Sequence, residues 1–156
     1  MQGILILRFK IFRMNTKNSI LFAIGIVVAN ILIGHFFAPY GIMLTPIVLI
    51  LLSILIGLVI TELQPILKSI LLAGLIIIHD VGIKLYAGGT HDLTGIGWIV
   101  LMMFIGLVPA YIFLIGGIFK SEDESKLNKW IAVFIFPLLL GIHLKMFWFL
   151  GLTQYP

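Results

Sequence analysis

The chain has 156 residues, 62% of them hydrophobic and 10% charged, with a formal net charge of +4 and a mean hydropathy of +1.24. A soluble domain averages about 45–50% apolar and about 25% charged residues, so a chain this poor in charge cannot cover a water-facing surface and takes the bilayer as its solvent. There are no cysteines, which excludes disulfides, thiolate metal sites and thiol catalysis, and the basic residues collect in two short segments, as topology signals do, which argues against a nucleic-acid partner.

Residues 1–13 read MQGILILRFKIFR. The apolar run is too short for a signal-peptide core, and no small-residue cleavage site follows. Two readings stand: an interfacial amphipathic stub carrying Arg8, Lys10 and Arg13, or an upstream start codon with translation beginning at Met14. A transmembrane helix needs about 20 mostly apolar residues. The first such segment covers 19–37, with Asn30 near its middle. The second covers 45–63, where Thr45 is read as the cap and Pro46 as the first helical residue. The third starts at Pro65, is apolar to Ile78, and continues to Tyr86 if Asp80 and Lys84 are tolerated; without it the bundle has four spans. The fourth covers 97–119 and the fifth 130–150, each with an internal proline, Pro109 and Pro137, that frees a carbonyl one turn earlier.

The expectation is therefore an all-α, polytopic membrane helix bundle of five spans forming one domain over 1–156. Lysine and arginine bias sets its orientation. Arg8, Lys10, Arg13, Lys17, Lys68, Lys120, Lys126 and Lys129 fall on one side, and Lys84 and Lys145 on the other. This predicts a cytoplasmic N-terminal segment, residues 1–18, and an extracytoplasmic C-terminus. The acidic run Glu122-Asp123-Glu124 reads as a solvated loop, and Glu62 as a partner for Lys68. Trp98, Tyr86, Tyr40, Trp148 and Tyr155 read as an outer aromatic belt. Small-residue pairs Gly25/Ala29, Ser53/Gly57, Ser69/Ala73 and Gly106/Ala110 let helices approach closely.

All four histidines fall on the outer side of this threading. At 1.5 Å per residue, His79 and Asp80 lie roughly 20 Å above the start of the third span, His143 roughly 20 Å above the start of the fifth, and His35 roughly 24 Å above the start of the first. His91 and Asp92 sit in the glycine-rich loop 84–98, which can fold over them as a lid. Imidazole and carboxylate together suit a divalent transition metal such as zinc, iron or copper. The candidate ligands are His35, His79, Asp80, His91, Asp92 and His143. The same groups suit a proton or ion path. A plainer reading pairs Asp80 with Lys84 at i,i+4 and leaves the histidines structural. Two function classes follow: a membrane protein that handles a metal, protons or ions through this set, or a non-catalytic accessory subunit that packs against membrane partners or a second copy of itself.

Overall fold

The computed structural model describes residues 15–87, 92–121 and 124–152. Residues 1–13, His91, Gly88-Gly89, Glu122-Asp123 and Tyr155 lie outside the described residues. Over the described residues the chain is an all-α bundle of five helices long and apolar enough to cross a membrane. These are α1 (Thr16–Phe36), α2 (Tyr40–Ser53, continued by a π-helical segment Ile54–Val59), α3 (Pro65–Tyr86), α4 (Leu93–Phe119) and α5 (Lys126–Phe147). The short connections make successive helices run in opposite directions. One face, here called proximal, holds Asn15, the 60–64 turn, Ser121 and Ser125. The distal face holds the 37–39 turn, Ala87, Asp92 and the end of α5.

Local signals start the helices. The Asn15 side chain accepts from the Lys17 amide at 3.1 Å, and Ser125 from the Asn128 amide at 3.2 Å. Pro65 opens α3 at its first turn, where the missing N–H is no loss. The start of the second span differs from the sequence reading. Pro46 does not open α2, which begins at Tyr40 and carries Pro46 in its interior. The apolar run before Pro46 is pulled into the helix because Gly41 packs on the backbone of Gly34, where a Cβ would clash. Thr45 accordingly bonds its own helix at Gly41 O, 3.3 Å away. The third span does continue through Asp80 and Lys84 to Tyr86, so the four-span alternative falls away.

α3 is the centre of the bundle, with α1, α2, α4 and α5 all packed against it. Its own Leu72 and Ile76 meet Leu49, Leu52, Leu114 and Ile118 in one core, all fully buried. Three small-residue pairs lie inside: Ser53/Gly57, Ser69/Ala73 and Gly106/Ala110, with Gly106 against Pro46. Gly25 and Ala29 face outward instead. The outer faces of α1, α4 and α5 expose Phe22, Leu32, Val108, Ile112, Phe134 and Leu138, a surface suited to lipid chains. The carbonyl of Val133, freed by Pro137, is taken by the Tyr111 hydroxyl at 2.9 Å, and Tyr111 stacks on Phe136. Ser69 donates to Ala132 O at 2.8 Å, so polar bonds across helices fasten α5 to both α3 and α4.

Candidate functional site

His79 and Asp80 are neighbours on α3, about 100° apart around the helix axis. They consequently serve two different interfaces. Asp80 turns toward α5. Its Oδ2 accepts from Lys84 Nζ at 2.8 Å and from His143 Nε2 at 2.7 Å. Lys84 Nζ also donates to Phe147 O at 3.0 Å, in the last turn of α5, where carbonyls have no intrahelical donor. Asp80 is 2% exposed, Lys84 0% and His143 3%. An ion pair this deep persists only when each charge is met. Asp80 and Lys84 cancel, and His143 adds a charge-assisted hydrogen bond.

His79 turns toward α1 and α2. Asn30 Nδ2 lies 2.7 Å from His79 Nε2 and 3.1 Å from Gly41 O. The carbonyl can only accept, so the Asn30 amide donates to it and spends its other N–H on the imidazole. His79 therefore accepts through Nε2, the nitrogen a metal would otherwise use. Asn30 thus bonds from α1 to both α2 and α3.

His35 and Asp92 lie apart from this pair of networks. His35 is on the exposed surface of α1, and its Nδ1 donates to Tyr86 O at 2.9 Å. It does not face the bundle interior: it directly follows Gly34, the last buried residue of that helix, and the rotation of about 100° per residue turns it outward. Asp92 is exposed and caps α4, its Oδ1 accepting from the Gly95 amide at 2.6 Å, a role that follows from its position before the helix. His91 lies outside the described residues. Among the described residues no group of three or more histidine, aspartate or glutamate side chains is placed to hold a metal ion. The pairing of Glu62 with Lys68 is replaced: Glu62 Oε2 accepts from Thr16 Oγ1 at 2.9 Å and Lys68 donates to Gly57 O at 3.1 Å. Lys68 points up into the bundle beside the π-helical segment, away from the turn that holds Glu62.

Three buried polar atoms of the two networks have no partner among the described residues: Asp80 Oδ1, His143 Nδ1 and Asn30 Oδ1. Each such atom costs about 1–3 kcal/mol when left unmet. Two of the three belong to the Asp80–His143 pair. Since a carboxylate only accepts, His143 donates its Nε2–H to Asp80. Its Nδ1 is then the open lone pair of the site. Lys84 was legible as the i,i+4 partner of Asp80, but its complete burial and its bond to α5 were not. No family model matches the chain, and comparison with curated proteins and with solved structures gives no match.

Proposed function

We propose that this is an integral membrane protein that handles protons, with His143 as the group that takes and releases the proton and Asp80 as its anionic support. The observation that carries the reading is the unpartnered Nδ1 of a buried histidine whose Nε2 is tied to Asp80. The charge arithmetic favours it. Lys84 and Asp80 sum to zero, so the set is neutral with His143 neutral and carries one positive charge once Nδ1 binds a proton. The Asp80 carboxylate stands 2.7 Å from the ring as the nearest negative group. The charged groups around His143 among the described residues are Asp80 and Lys84 from α3; its other near neighbour is the Phe147 ring of α5. By the lysine bias the network lies toward the extracytoplasmic leaflet, and the N-terminus is cytoplasmic.

The test is reconstitution into vesicles with a trapped pH dye and an imposed pH difference. Wild type should carry protons faster than protein-free vesicles, and His143→Gln should abolish the excess while keeping the thermal midpoint within a few degrees. Equal rates for wild type, variant and empty vesicles would refute the proposal. A second reading has its own observation. The bond from Lys84 to Phe147 O makes the set a clamp between α3 and α5, as an accessory subunit without chemistry would need. In that case His143→Gln lowers stability and no proton flux is seen in any form.

A further inference from the structure

At the proximal face, a second buried cation stands without a counter-ion among the described residues. Lys68 is 3% exposed, and among the described residues its ammonium makes one hydrogen bond, to Gly57 O at 3.1 Å, and no ion pair. Gly57 lies in the π-helical segment Ile54–Val59. A π turn loosens the helical ladder and is often found at functional sites. Gly117 presses on the Gly57 carbonyl so closely that a Cβ would clash with it, which holds that carbonyl in place. Beside it opens a cavity of about 280 Å³ lined by Gly57, Thr61, Lys68, Gly117, Lys120 and Ser121. Drug-sized ligands occupy roughly 300–1,000 Å³, so this volume suits a headgroup-sized polar ligand. The charges of Lys68 and Lys120 oppose each other across it. Among the described residues the carboxylates nearby on this face are engaged elsewhere: Glu62 with Thr16, and Glu124 with Asn128. The carbonyl ends of α2 and α4 offer about half an elementary charge each, less than two ammonium groups call for.

We propose that this cavity binds a phosphate group, with Lys68 and Lys120 supplying charge and the Thr61 and Ser121 hydroxyls supplying hydrogen bonds. Two sources share that chemistry: the headgroup of an anionic phospholipid, which reaches the cavity from the bilayer surface, and free phosphate from solution. The site is independent of the Asp80 network at the other end of α3.

The experiment uses the full chain in neutral detergent and reads the thermal midpoint and bound ligand by native mass spectrometry. Phosphatidylglycerol is titrated against phosphatidylcholine, and inorganic phosphate against chloride at constant ionic strength. Lys68→Gln also removes the bond to Gly57 and can unfold this corner, so Lys120→Gln and Ser121→Ala carry the test, with Lys129→Gln as the control on the same face. Binding weakened about five-fold by Lys120→Gln, also weakened by Ser121→Ala and unchanged by Lys129→Gln, supports the site. A response to phosphatidylglycerol alone assigns it to a lipid headgroup, and a response to inorganic phosphate assigns it to a soluble phosphate. Absence of both responses in wild type, or equal weakening by Lys120→Gln and Lys129→Gln, overturns the proposal.

Discussion

Replacing Lys84 with Met strands the Asp80 carboxylate in the core. Lys84 is fully buried, 2.8 Å from Asp80 Oδ2, and methionine fills much of the same volume without the charge. Breaking a buried pair from one side costs about 3–5 kcal/mol, whereas replacing both partners by apolar or neutral groups is often close to neutral. Asp80 keeps its hydrogen bond from His143 in the variant, so Lys84→Met should lose about 3 kcal/mol, the lower end of that range. The double variant Asp80→Asn/Lys84→Met should recover most of it. The assay is equilibrium unfolding in mixed micelles, run as a double-mutant cycle at pH 7. A single variant that loses less than about 1 kcal/mol, or a double variant as unstable as the two singles summed, would refute the reasoning.

Tyr111→Phe should cost about 1 kcal/mol by leaving the Val133 carbonyl unmet, and Pro137→Ala, which restores an N–H one turn on, should make the same substitution nearly silent; unfolding of the four proteins checks this. A reporter fused after Pro156 should be active outside the cytoplasm, and activity confined to the cytoplasm would reverse the assigned orientation. Elemental analysis of purified protein should give less than one zinc, iron or copper per chain, because the Nε2 atoms of His79 and His143 are already engaged. A stoichiometric metal lost in both His79→Ala and His143→Ala would restore the metal reading.

The apolar spans were readable because hydropathy over some 20 residues is a strong signal, and Pro65 marked the start of α3 because its ring favours a first turn. Pro46 misled, since the same ring is tolerated inside a membrane helix when neighbours hold it. Within the candidate site, the i,i+4 spacing of Asp80 and Lys84 disclosed their pairing without any knowledge of the fold. Depth along each helix brought His79, Asp80 and His143 to one level. It could not say which way each side chain pointed, and rotation of about 100° sent His79 to α1 and α2 while Asp80 went to α5. His35 shared the level and faced outward for the same reason. Lys68 misled differently: its nearest acid in sequence, Glu62, lies across a turn, whereas the carbonyl it reached lies in a π-helical segment that apolar composition does not reveal.

The arrangement around Asp80 has a consequence for assembly. α5 is the last of the five helices to be synthesised, and it supplies both His143 and the Phe147 carbonyl. Until it arrives, α3 has to enter the bilayer with Asp80 and Lys84 answering only to each other across one helical turn. That local pair lets α3 partition without its distant partner, at the expense of leaving two unfilled bonding positions on its flank. Docking of α5 seals them. A nascent chain halted after α4 would therefore show the membrane a half-answered ion pair.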